Sequence, residues 1–166
     1  MGLGMQRCRR EGTPIVYHVD KTEGAPWVLL LHGAFVDHRM FRTQVEAFRG
    51  RYSVIAVDIL GHGGSTETHH GDSLESMASW LSAILEAEGA STAHVVGVSL
   101  GGVLAQDFAC AYPEHVASLA CFGACDITRP DPELIRANGA AQMAMVGKAL
   151  VSVRWFADAN KAISAY

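Results

Sequence analysis

The sequence predicts an α/β protein of three layers, with helices on both faces of a mostly parallel sheet. Three observations carry that expectation. Continuous apolar runs such as Trp27-Val-Leu-Leu-Leu31 match strands buried on both faces. Segments of helical periodicity, residues 40–49 and 74–88, alternate with them as βαβ units require. The apolar run 93–98 passes through one serine, Ser99, directly into a helix-like run, 100–112.

The elements follow in order. Ile15-Val-Tyr-His-Val19 is a short strand, closed by a polar turn at 20–24. The run 27–31 is a buried strand that stops at His32-Gly33-Ala34-Phe35. Met40, Phe41, Val45 and Phe48 share a helical face. Residues 52–58 form the next buried strand, followed by the glycine-rich loop Gly61-His62-Gly63-Gly64-Ser65. In 74–88, Leu74, Met77, Trp80, Leu81, Ile84 and Leu85 line one face, which makes Trp80 a core residue, and Gly89 is the C-cap. The helix after Ser99 is closed by Pro113, and 116–122 is one more buried strand. Beyond it the pattern turns helical and rich in alanine and methionine to Tyr166. The expected division is a core over 1–126 and a partial helical lid over 127–166, with the C-terminal half of the sheet missing.

Composition narrows the function classes. A chain of 166 residues that is 49% hydrophobic and 18% charged supports one packed core. The net charge of −4 argues against nucleic acid or an anionic membrane as partner. No apolar run is long enough to span a bilayer, and the basic segment 1–10 lacks the apolar centre of a secretory signal. Of the four cysteines, Cys110, Cys121 and Cys125 lie in apolar stretches and read as small buried residues. A reduced, cytoplasmic setting is the expectation. Cys121 and Cys125 lack a second ligand pair, and His69-His70 reads as solvated loop, so no metal is expected.

The chemistry centres on Gly97-Val98-Ser99-Leu100-Gly101. A serine flanked by glycines at this spacing, between strand and helix, has the pattern of a nucleophile elbow. Backbones crowd such a turn, so Gly97 and Gly101 are needed there. The helix N-terminus favours negative charge beside the hydroxyl. Gly61-x-Gly63-Gly64 lacks the order of a dinucleotide loop and the lysine of a P-loop, which removes nucleotide binding.

With Ser99, the His32-Gly33 loop and Asp58-Ile59-Leu60-Gly61-His62-Gly63-Gly64-Ser65 together, the sequence resembles the α/β-hydrolase fold family, in its branch of esterases, lactonases and cofactor-free haloperoxidases. Arg154-Trp155-Phe156 resembles the lid of 3-oxoadipate enol-lactonases. The resemblance implies that Ser99 is the nucleophile. It implies that the backbone N–H groups of Phe35 and Leu100 form the oxyanion hole, and that Phe35 walls the acyl pocket. His32, Gly33, Gly97 and Gly101 support loop and elbow, and Trp155 and Phe156 are candidates for lining the pocket. No cofactor is implied.

The family's acid and histidine follow the serine in chain order. Here the only histidine after Ser99 is His115, at the far end of its strand, and Asp126 is a reserve candidate for the acid. His32 and His62 read as loop-bracing residues and Asp58 as structural. The expectation is therefore the N-terminal part of a serine hydrolase for a small-molecule ester or lactone, with little turnover. An open sheet edge at 116–122 offers a route to self-association. Two alternatives remain: a non-catalytic hydrolase-like binding module or half of a two-chain assembly, and haloperoxidase-type chemistry on the same elbow.

Overall fold

A computed structural model describes residues 4–10, 13–67 and 76–124, with 132, 133 and 136 besides. The chain divides into two compact units, Met1–Ile127 and Thr128–Tyr166. The elements below belong to the first.

Among the described residues, six strands form one sheet in the order β1-β2-β4-β3-β5-β6. These are β1 (Gly4–Arg10), β2 (Thr13–Asp20), β3 (Trp27–Leu31), β4 (Ser53–Val57), β5 (Ala93–Val98) and β6 (Val116–Phe122). β1 pairs antiparallel with β2, and β2 with β4; the other pairings are parallel. Three helices connect the parallel strands: α1 (Arg42–Phe48), α2 (Met77–Glu88) and α3 (Leu100–Ala111). The expected mostly parallel α/β sheet is the one observed.

Period-2 alternation divides the core into two layers. Leu29, Leu31, Ile55 and Val57 face the side carrying α2 and α3, where Trp80, Leu81, Ile84, Leu85, Leu104 and Phe108 complete the larger cluster. Val28, Leu30, Val54 and Ala56 face the other side and pack with Phe41 and Val45. Each such side chain contributes about 1.5–3 kcal/mol by leaving water. α2 stops at Gly89, whose φ of 74° lets the Ala90 N–H close on the Leu85 carbonyl at 2.8 Å. Trp80 is buried, as its spacing required. Among the described residues no helix is long and apolar enough to cross a membrane.

One element is added and two expectations change. The basic N-terminal segment is a strand, β1. It pairs along β2 in an antiparallel ladder and leaves most of its side chains in water, so no apolar alternation marks it. The helix expected over 40–49 is a 3-10 turn, His38–Phe41, followed by the shorter α1. The strand 116–122 is present as β6 but is not buried: Leu119 is 41% and Phe122 58% exposed. Cys121 on β6 and Cys110 near the end of α3 are likewise exposed, not buried. The reason is position. β6 is the last strand of the sheet, so apolar composition there does not translate into burial.

Candidate active site

Ser99 sits where β5 ends and α3 begins. Its backbone has φ 51° and ψ −115°, outside the regions a residue with a Cβ favours. Three contacts hold it there. Its N–H donates to the Phe122 carbonyl at 2.8 Å, and its own carbonyl accepts from Gly102 at 2.9 Å and Val103 at 3.2 Å. The glycines explain why the turn can close. A Cβ at Gly97 would overlap the Gly101 backbone, and one at Gly101 would fall on the Leu31 carbonyl oxygen and lie 2.6 Å from that of His32. A Cβ at Gly102 would lie 2.5 Å from that of Ala124. Leu100 is the first residue of α3, where an N–H has no acceptor within its own helix.

The loop after β3 comes alongside. Modest room remains at Gly33, where an added Cβ would lie 3.6 Å from the Ser99 Cβ. Phe35 follows with φ 65°, and its side chain is 67% exposed. A cleft of about 790 Å³ is lined by Phe35, Val36, Arg39, Met40 and His62, among others. Ser99 is not among its lining residues.

His32 is fully buried, and both ring nitrogens are occupied. Nδ1 faces the Gly33 carbonyl at 2.7 Å, while Nε2 accepts from the Ile59 N–H at 3.0 Å. The second bond requires an unprotonated Nε2, so the proton is on Nδ1 and the ring is neutral. Burial holds this imidazole below its ordinary range. It ties the loop after β3 to the loop after β4. His62 sits beside it, ring edge to face at 5.3 Å, with Nδ1 at 3.2 Å from the Leu60 carbonyl. His115 is far from the elbow along the strand. It lies beside the start of β6, next to the Ala93–Val116 pair, with its ring nitrogens on Ser91 and Ser82.

Asp58 is a structural hub. Its carboxylate is 1% exposed. Oδ1 accepts the His38 backbone N–H at 2.9 Å and the His38 ring Nδ1 at 2.8 Å; Oδ2 accepts the Gly64 N–H at 2.9 Å. Burial opposes its charge, yet those N–H groups and the His38 ring bring the carboxyl below its usual range. Gly63, at φ 52°, passes so close that any Cβ would strike the carboxylate. His18 on β2 brings Nε2 to 3.5 Å from Oδ2, within ion-pair reach but without a hydrogen bond.

The rings of His18 and His38 stack, with centroids 3.4 Å apart and planes at 20°. Imidazoles sharing one zinc ion at bonds of about 2.1 Å hold their centroids about 5 Å apart. The stack is therefore too tight for both rings to ligate one ion, although their nitrogens and Asp58 lie within 4.8 Å of one another. Two protonated rings this close repel one another.

The burial of these histidines has a measurable consequence. The imidazoles of His32 and His18 both titrate below their ordinary value of 6.5; burial is the larger cause in each, and for His18 the His38 ring adds to it. A histidine lowered in the folded state binds more protons when unfolded, so its stabilisation is present above pH 6.5 and fades below. Each extra proton bound on unfolding costs about 1.4 kcal/mol per pH unit. Urea unfolding is expected to show about 2 kcal/mol less stability at about pH 5 than at about pH 7. A flat profile across that interval would contradict the neutral assignment of both rings.

The sequence singled out Ser99, Phe35, Leu100, His32, Gly33, Gly97 and Gly101, and the fold brings the loop and elbow together. It missed His18 and His38. One lies in a strand and one in a turn, and nothing in their local pattern marks them. Asp126, Trp155, Phe156 and His69-His70 lie outside the described residues.

Known proteins extend these observations. Residues 26–163 match the family model described as alpha/beta hydrolase fold. The chain is 30% identical over 155 residues to 3-oxoadipate enol-lactonase 1 of Acinetobacter baylyi, covering 90% of this chain and 56% of that protein. It is 34% identical over 105 residues to the dihydrolipoyllysine-residue acetyltransferase component of the acetoin cleaving system of Cupriavidus necator, covering 63% of this chain and 28% of that one. The naproxen esterase structure from Bacillus subtilis superposes with a TM-score of 0.63 at 26% identity, over 70% of this chain and 41% of that one. The chain thus spans about half, or less, of the length of these relatives. A family match covering most of the chain, on a sheet order and elbow of this kind, means that the chain belongs to the alpha/beta hydrolase fold family.

Proposed function

We propose that the chain carries the nucleophile and oxyanion elements of a serine hydrolase that acts on a carboxylic ester or lactone. The backbone of Ser99, at φ 51° and ψ −115° on the N-terminus of α3, is the observation that carries this reading. Similarity to an enol-lactonase and to an esterase fold supports the substrate class.

In this mechanism the Ser99 Oγ attacks the carbonyl carbon as its proton passes to a general base. The carbonyl oxygen gains the negative charge and accepts from the N–H groups of Phe35 and Leu100. Collapse expels the alcohol, leaving an acyl ester on Ser99 that water then hydrolyses. Removing one oxyanion donor typically costs a hundredfold or more in rate. His32 is not the base, because both its nitrogens are engaged in holding the loop. Among the described residues none is assigned as that base, and a hydroxyl without one is a weak nucleophile, so slow turnover by the 166-residue chain is part of the proposal.

The test is covalent. A fluorophosphonate is expected to leave an adduct on the peptide containing Ser99, read by mass, and the purified chain to hydrolyse p-nitrophenyl acetate slowly. Both signals fall to background in Ser99→Ala. Ser99→Gly loses them too, while gaining about 1 kcal/mol of stability because glycine relaxes the strained turn. An adduct elsewhere, or hydrolysis unchanged in Ser99→Ala, removes the reading. Fast, Ser99-dependent turnover would locate a general base within this chain.

A further inference from the structure

We propose that His18 and His38 are positioning residues for the turn 35–38, holding it on Asp58 as a clamp that takes one proton and opens on the second. The turn matters on the reading that Phe35 donates an oxyanion N–H, and the inference rests on that reading.

The geometry starts at the end of the turn. His38 reaches Asp58 twice, through its backbone N–H and its ring Nδ1, both on Oδ1. An ionised carboxylate only accepts, so Nδ1 carries a proton in this arrangement. Because the backbone N–H is one of the two links, any displacement of His38 from Asp58 moves the chain that leads back to Phe35. Phe35, at φ 65°, is held in a conformation that a residue with a side chain does not keep unaided. On the other carboxylate oxygen, Gly64 fixes the loop after β4, and His18 approaches from β2. One buried carboxylate therefore bonds the loop and the turn, with His18 of β2 in ion-pair reach.

The stack sets how many protons this arrangement accepts. One imidazolium beside Asp58 neutralises its charge. A second would lie 3.4 Å from the first, in a site where, among the described residues, Asp58 is the one carboxylate within ion-pair distance of both rings. The surrounding charges do not relieve that conflict. Asp37 belongs to the turn itself, but Arg39 pairs with it through two nitrogens and holds its carboxyl down to about 2. His32, from the loop after β3, is buried and neutral. β1 sets Met5 opposite His18, and β4 sets Ala56 there, neither of which titrates. Separation of the rings is the remaining way to accommodate the second proton, and it carries His38 away from Oδ1. Burial and the neighbouring His38 ring also lower the proton affinity of His18, in the direction the clamp requires.

The experiment is an NMR titration of the uniformly labelled chain from about pH 8 to about pH 4, following histidine ring signals and the backbone amides of residues 33–38. The wild-type pair is expected to titrate in two separated steps, with the amides of Phe35, Val36 and Asp37 moving at the more acidic one. His38→Asn keeps a neutral donor near the position of Nδ1 and removes the second charge. His18 is then expected to titrate closer to the ordinary imidazole range. His18→Gln is expected to abolish the acidic step in the turn amides. If one variant fails to fold, the other and the wild-type titration still decide. Rings that titrate independently, or turn amides indifferent to the acidic step, overturn the clamp. Fluorophosphonate labelling of Ser99 is read separately. A clamp that titrates as described in a chain that never labels Ser99 would remove the reading of Ser99 as nucleophile and leave the clamp.

Discussion

Gly101→Ala is expected to cost about 3 kcal/mol or more, enough to shift the urea midpoint far down or to abolish folding. The added methyl would overlap the carbonyl oxygen of Leu31 and crowd that of His32 at 2.6 Å. Both are backbone atoms of the neighbouring strand and its loop. A side chain could rotate away; these cannot move without displacing α3 from β3. Overpacking in a well-filled core usually costs about 1–3 kcal/mol, and obstruction by backbone lies at or beyond the upper end. Gly50→Ala is the control. Gly50 has a φ of 74° but nothing within 4 Å of an added methyl, so only conformational strain opposes it, worth about 1 kcal/mol. The two variants separate crowding from strain. A Gly101→Ala variant as stable as Gly50→Ala would show that helix and strand do not approach as closely as described.

The second large effect is expected at Asp58. Asp58→Ala strips the acceptor from three N–H groups: two on His38 and one on Gly64. Unsatisfied buried donors cost about 1–3 kcal/mol each, so a loss of about 3–5 kcal/mol is expected. Asp58→Asn is expected to lose less, because its amide oxygen keeps one side of the hub while its NH2 faces donors on the other. The pH dependence carries the sign of the depressed carboxyl. The stabilisation is complete above the unfolded value of 3.8 and fades as pH falls through the lower folded value. Wild type and Asp58→Asn should therefore converge in stability at strongly acid pH. Persistence of the full difference there would mean that the hub does not depend on the carboxylate charge.

Both results bear on how the chain encodes its site. Gly97, Ser99 and Gly101 were readable because crowding at a strand-to-helix turn is local. Glycine is demanded by neighbours that the same few residues supply. The buried strands 27–31 and 93–98 were readable for a similar reason, since a continuous apolar run on a strand implies cover on both faces. β1 escaped notice because an edge hairpin needs only backbone partners. The open edge at 116–122 was readable, but the exposure of the strand's side chains was not, because an apolar strand at the end of a sheet has the same composition as one in its middle.

His32 and Asp58 show the division most clearly. Residue type and chain order already implied that His32 braces a loop and is not the base. Its neutral ring follows only from the Ile59 N–H that it accepts across the sheet. Asp58 read as structural, but its partners His18 and His38 come from a strand and a turn remote from it in the chain. No periodicity links such residues. The order of residues along the chain thus specified the alternating strands and helices and the glycine-flanked serine, because those depend on near neighbours. The protonation of the site and the carboxylate hub beneath its turn arose only when distant segments were folded together, because hydrogen bonds and charge interactions depend on distance in space.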